Sequence, residues 1–322
     1  MKSAVIGFDT SNYRTSAAVV SLDGEILMNF RELLQVPSGS TGLRQSEAVY
    51  AHVRSLRKAE RALRDISTEI ILAAACASVR PRDPEESFMP TFQVGYTMAV
   101  TLASCLGIPF FETTHQRGHL EAALAGSGAD RNADLLFVHL SGGTTDMLLA
   151  SGDRLDMIGG SLDLHAGQLV DRAGAAMGLQ FPAGPYLEKL AEKGQSEGRL
   201  GCSMADGDLN CHLSGAETQV IRWIKDGTLG NENAAMEIYD FLARTVARMV
   251  SAGARVTGSR QALIAGGIAS SLLFRKLLVQ RTARNCRGLK IFFGDPELSG
   301  DNAVGVAMTG INRLLRTAEQ EV

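Results

Sequence analysis

Short apolar runs broken by turn residues open the chain. SAVIGF (3–8) and SAAVVSL (16–22) each read as a strand, and Asp23-Gly24 then turns the chain tightly into EILMNF, a third antiparallel strand. From Ser46 to about Leu63 the period changes. Val49, Val53, Leu56 and Leu63 recur at helical spacing with Arg, Lys and Glu between them, which predicts an amphipathic surface helix. ILAAACAS (71–78) reads as a buried strand. RPRDPEESFMP (80–90) carries Pro81, Pro84 and Pro90, whose missing N–H groups exclude it from a helix or strand interior, so it is a loop. A helix over about 92–106 and a strand at IPFFE (108–112) complete the first half.

The second half repeats this order. DLLFVHL (134–140), TDMLLAS (145–151) and RLDMIGG (154–160) read as three strands, with Gly142-Gly143 and Ser151-Gly152 at the turns. A helix over about 163–179 follows, then a Gly- and Asp-rich insertion to about 215 and a helix over about 235–254. A strand (262–267), a helix (about 270–281), a strand (289–294) and a terminal helix from about Asp301 end the chain. Three strands followed by alternating helices and strands, twice over, predict a duplicated α/β fold. Its expected lobes are residues 1–130 and 131–322, with the insertion near 182–215; two unrelated α/β domains would produce a similar pattern.

Composition narrows the class without naming a function. The 322 residues are 45% hydrophobic and 21% charged, which excludes disordered, fibrous and coiled-coil proteins. Lys and Arg number 32 against 35 Asp and Glu, a net charge of −3, so no global basic field holds nucleic acid. Any RNA contact must be local or supplied by a partner. Cys76, Cys105, Cys202, Cys211 and Cys286 include no Cys-x-x-Cys pair and read as reduced structural thiols. The apolar stretch before Asp9 is too short for a signal peptide, and no run approaches the roughly 18 apolar residues of a membrane span. The expected location is cytoplasmic. Glycine stands out, with 34 residues, about 11% against a usual ~7%.

That excess directs attention to phosphate-binding turns. FDTSN (8–12), LSGGTTD (140–146) and IAGGIASS (264–271) each lie where a strand ends, and small residues there let backbone N–H groups approach an anion. In a duplicated fold the first two would be symmetry mates and the third would lie under a nucleoside. His115 and His119, in THQRGH, share a face if this segment is helical and could present two imidazoles to one metal ion. The residues between them are Gln116, Arg117 and Gly118, so the glutamate of a zinc protease is missing. Asp301 in LSGDNAV is the candidate third ligand, a role compatible with capping the helix that follows. Asp171 falls on a predicted helix, where a solvated surface role is equally natural. Asp9 ends the first strand, where open α/β sheets gather their functional groups.

FDTSN, HQRGH, LSGGTT, GGSLDLHAGQLVDRAGAAMGLQFPAGP, LSGAET, AGGIASS and SGDNAV, in this order, resemble the TsaD family of tRNA threonylcarbamoyladenosine transferases, once described as glycoproteases. The resemblance spans essentially the whole chain. It implies the actin-like ATPase fold of sugar kinases and heat-shock chaperones, with two lobes around a nucleotide cleft. It also implies one Fe or Zn ion on His115, His119 and Asp301, catalysis involving Asp9, and ATP or an adenylate, with Mg a further candidate ion. The nucleotide would be held by Ser141, Gly142, Gly143, Thr144, Asp171, Gly184, Gly266, Gly267 and Ser271. The implied reaction moves a threonylcarbamoyl group from an adenylate to the amino group of adenosine in tRNA, and the implied partners are tRNA and a smaller actin-like subunit or a second copy. Arg44, Arg54, Arg57, Lys58 and Arg61 of the first helix region are candidate RNA contacts, although a solvated helix face explains them as well. Tyr13, Arg14, Thr144, Glu217, Ser271 and the 80–90 loop depart from the family pattern. A second reading is therefore a paralogue that has kept nucleotide binding and lost catalysis.

Overall fold

The computed structural model describes residues 1–11, 13–35, 43–83, 87–300 and 302–320. Asn12, Pro84 and the expected metal ligand Asp301 lie outside the described residues. The chain forms two compact units, Met1–Ala122 with Gly300–Val322, and Ala123–Ser299.

In the first unit, β1 (Lys2–Asp9), β2 (Arg14–Ser21) and β3 (Ile26–Leu33) form an antiparallel meander. β4 (Ile70–Arg80) and β5 (Phe110–Thr114) add in parallel, giving the order β3-β2-β1-β4-β5. β1 is buried from Ala4 to Asp9, so both of its faces need cover. Ala4, Ile6 and Phe8 pack in one cluster with Leu56 and Ala59 of α1 (Gln45–Ile66) and with Ala99 and Ala103 of α2 (Phe92–Leu106). The opposite face meets α9 (Val304–Gln320). A Cβ on Gly7 would stand 2.6 Å from the Ala307 amide nitrogen, and one on Gly310 would stand 2.8 Å from Val5. The terminal helix, expected in the second lobe, thus belongs to the first unit, and the expected division at 130 falls at Ala122/Ala123. The cause is the two-sided burial of β1 and β4, which α1 and α2 cover on one face only.

The second unit repeats the arrangement and extends it. β6 (Leu135–Leu140), β7 (Thr145–Ser151) and β8 (Arg154–Ser161) form the meander, and β11 (Gln261–Ala265) and β12 (Lys290–Phe293) continue it in parallel beside β6. The full order is β12-β11-β6-β7-β8-β10-β9. Strand for strand, β8-β7-β6-β11-β12 matches β3-β2-β1-β4-β5, the expected duplication. The insertion is ordered structure. It supplies α5 (Gly184–Ala191) and two short strands, β9 (Ser203–Ala205) and β10 (Asn210–His212), which prolong the sheet beyond β8. α4 (Ala166–Ala176), α6 (Ser214–Asp226), α7 (Asn231–Thr257) and α8 (Leu272–Asn285) complete the unit, and its core runs from Leu136 to Leu278. α6 was not anticipated, although Ala216, Val220 and Trp223 are buried at helical spacing. Among the described residues no helix is long and apolar enough to cross a membrane.

Candidate functional site

β5 runs directly into α3 (His115–Leu124), so the predicted histidine pair is helical and lies at the carboxyl end of the first unit's sheet. One turn apart, the imidazoles meet edge to face, with Nε2 of His115 3.1 Å from Nε2 of His119. Two imidazoles held about 2.05 Å from one ion, at an angle near 100°, have about this separation. The other nitrogen of His115, Nδ1, lies 2.8 Å from the Asp9 carboxylate. Asp9 is 1% exposed and ends β1; its other oxygen accepts from the Ser11 amide at 2.9 Å, and Oδ2 also accepts from the Ser78 hydroxyl at 2.9 Å. An ionised Asp9 keeps the proton of His115 on Nδ1 and leaves the Nε2 lone pair facing His119. Parallel pairing of β1 with β4 brings Asp9 beside Ser78, which no local motif identified.

α3 is fixed from both ends. The Thr114 hydroxyl accepts from the Arg117 amide at 3.3 Å and donates to Asp83 at 3.1 Å. Gly118 faces α9, and a Cβ on Gly305 would stand only 1.8 Å from the Gly118 carbonyl oxygen. Among the described residues no group of three His, Cys, Asp or Glu is arranged to hold a metal.

The second unit gathers the other candidates at the carboxyl ends of β6 and β11. The Ser141–Thr144 turn is closed by the Ser141 amide donating to the Thr144 carbonyl at 2.8 Å. The first amides of α4 fold onto this turn: Gly167 donates to the Ser141 carbonyl at 3.0 Å and Ala166 to the Thr145 hydroxyl at 2.8 Å. A Cβ on Gly167 would come within 2.5 Å of the Gly142 amide, so only glycine permits this approach. Gly142 and Gly143 themselves are exposed with open space beside them. The result is a glycine turn against a helix N-terminus, an arrangement suited to an anion.

Gly266 has φ +97°, and a Cβ there would meet the Leu140 carbonyl at 2.3 Å, which places the Gly266-Gly267 turn against the end of β6. Asp171 accepts from the Ala183 amide at 2.9 Å and so ties α4 to the start of α5 at Gly184, whose carbonyl accepts from the Tyr239 hydroxyl at 3.1 Å. Ser271 caps α8, accepting from the Phe274 amide at 3.0 Å and donating to Glu188 at 2.8 Å. Glu188 was not singled out in the sequence, because its partner is remote in the chain. Glu217, a carboxylate where the resembling family has lysine, pairs with Arg172 at 3.1 and 3.3 Å, so its charge is compensated.

The family model for tRNA N6-adenosine threonylcarbamoyltransferase matches residues 88–308, a span holding both histidines and both second-unit turns. Proteins of that name from Methanopyrus kandleri and Polynucleobacter asymbioticus are similar in sequence. The first is 28% identical over 95% of this chain and 86% of its own length, and the second 33% identical over 69% and 65%. Among solved structures, full-length HypF in a phosphate- and nucleotide-bound form superposes with a TM-score of 0.60 at 11% identity, covering 97% of this chain. The chain spans about half of that HypF molecule, 47%. A ROK family glucokinase from Streptomyces griseus, with glucose and AMPPNP, superposes with a TM-score of 0.54 at 15% identity over 94% of this chain and 98% of its own. At these identities the likeness is one of fold, the actin-like ATPase fold.

Proposed function

The chain belongs to the TsaD family of tRNA N6-adenosine threonylcarbamoyltransferases, and on that premise we propose that it transfers a threonylcarbamoyl group to the N6 amine of an adenosine in tRNA. The observation that carries this reading is the histidine pair, with Nε2 atoms 3.1 Å apart and His115 held by Asp9. In the reaction the N6 amine forms a bond to the carbamoyl carbon, the adenylate departs with the electrons of the bond that breaks, and N6 loses a proton.

His115 and His119 are the described residues that fit a metal ion, and Asp301 is the remaining candidate ligand. A bound Fe or Zn would act as a Lewis acid on the donor. Asp9 is then a positioning residue, keeping His115 in the tautomer whose Nε2 can ligate. The Ser141–Thr144 turn, with the positive end of the α4 dipole behind it, would receive the anionic end of the donor, with Asp171, Gly184, the Gly266-Gly267 turn and Ser271 shaping the remainder. Substitution at Glu217 does not place a bare carboxylate beside that anion, since Arg172 pairs with it. This favours a working site over the non-catalytic reading.

The test combines metal content with nucleoside analysis of tRNA after incubation with donor and partner proteins. The wild-type protein is expected to carry about one Fe or Zn per chain and to form threonylcarbamoyladenosine. His115→Ala and His119→Ala should lose both, while Asp9→Asn should weaken metal affinity by about 10- to 100-fold. Full metal retention in both histidine variants, or no modified adenosine from the metal-loaded wild type, overturns the proposal.

A further inference from the structure

A cavity of about 540 Å³ in the second unit lies apart from the turns described above. Five guanidinium groups line it: Arg244, Arg248 and Arg255 from α7, and Arg281 and Arg284 from α8. Spacings of four and seven residues put the three α7 arginines on one side of that helix. Asp240, 2% exposed on α7, accepts from Arg244 Nε at 2.8 Å and also from Arg281, so one buried carboxylate fixes two of the cations. Arg248 pairs with Asp208 at 2.9 Å. Arg255 and Arg284 are exposed, and no carboxylate pairs with either among the described residues. Five cations thus face two carboxylates, a local excess of three positive charges in a chain of net charge −3. On α1, Lys58 pairs with Glu32 and Arg64 with Glu60.

We propose that this arginine cavity binds the phosphate backbone of the acceptor tRNA, a proposal that rests on the transferase reading for the identity of the RNA. Guanidinium forks match phosphate oxygens, and the groups held by Asp240 lose less freedom on binding. No aromatic side chain lines the cavity, and a nucleoside pocket is largely apolar or offers a stacking platform. The row from Arg244 to Arg255 covers about 16 Å of helix, longer than one phosphate group can use and suited to successive phosphates along a strand.

The test is tRNA binding to the full chain by fluorescence anisotropy across a salt series. Arg255→Glu/Arg284→Glu changes two exposed side chains without carboxylate partners. It is expected to raise Kd about ten-fold or more and to lower the slope of log Kd against log salt by about 1 to 2. Arg154→Glu, on the β7–β8 hairpin, should leave Kd within about two-fold, with metal content and circular dichroism unchanged in both. Wild-type affinity and slope in the double variant, or no tRNA binding by the wild type, overturns the proposal. So does a double variant that loses affinity for tripolyphosphate alone, which would make the occupant a small polyphosphate. Weakened tRNA binding in the double variant, beside a metal-loaded wild type that forms no threonylcarbamoyladenosine, would support the RNA surface while removing the transferase reading.

Discussion

His52 lies within α1 with no exposed surface, its Nδ1 2.8 Å from the Thr15 hydroxyl, while Nε2 is buried and without a hydrogen-bond partner among the described residues. Burial lowers its pKa to about 4, against the opposing pull of the Asp9 charge and a backbone contact at Ser11. Because the folded pKa lies below the ordinary 6.5, the unfolded chain binds the proton more readily, and stability falls as pH drops from about 6.5 toward 4. At pH 5 the loss from this group is roughly 2 kcal/mol relative to pH 8. Urea unfolding at the two pH values should show that extra loss in the wild type and not in His52→Gln. Equal pH dependence in the two proteins would sink the assignment. The neighbouring Asp9–His115 contact shows what a residue-level reading of sequence misses. Asp9 and His115 are each recognisable by local context, yet 106 positions separate them and only strand order joins them.

At the scale of elements, α9 illustrates how close packing selects glycine. An exposed helical Gly→Ala change stabilises by about 1 kcal/mol. Gly305→Ala should do the reverse, because the added Cβ would stand 1.8 Å from the Gly118 carbonyl and 2.7 Å from the Ala122 amide, backbone atoms that cannot rotate away. We expect a loss of about 3 kcal/mol in denaturant unfolding, together with reduced metal affinity as α3 shifts. Unchanged stability would show that α3 and α9 are not packed this closely. α6 makes a related point about helix ends. Asp163, from the segment before α4, accepts from the Leu213 and Ser214 amides at 2.8 and 3.3 Å and from the Ser214 hydroxyl. Burial alone would raise its pKa, but these hydrogen bonds and that from Leu164 outweigh it and hold the carboxyl below its ordinary value. The capping residue is 50 positions from the helix it caps, so no local capping motif announced α6.

For the whole molecule, the division of the chain predicts unequal behaviour of its parts. The second unit is continuous and contains its own core from Leu136 to Leu278, so a fragment Ala123–Ser299 should unfold cooperatively in urea. The first unit is discontinuous, and a fragment Met1–Ala122 lacks α9 and leaves one face of β1 and β4 uncovered. That fragment should not fold until residues 300–322 are supplied, which near-ultraviolet circular dichroism can follow. Independent folding of Met1–Ala122 would mean that α9 is dispensable to the unit.

The sequence alone determined the strand meanders, their duplication, the helical histidine pair and the small-residue turns, because each depends on periodicity or on residues within a turn of one another. Tertiary structure decided which unit receives α9, which carboxylate holds His115 and where five scattered arginines collect. Those contacts join positions tens to hundreds of residues apart. Their pairing follows from strand order and from the need to bury both faces of each sheet, constraints that belong to the folded chain and leave no periodic trace along it.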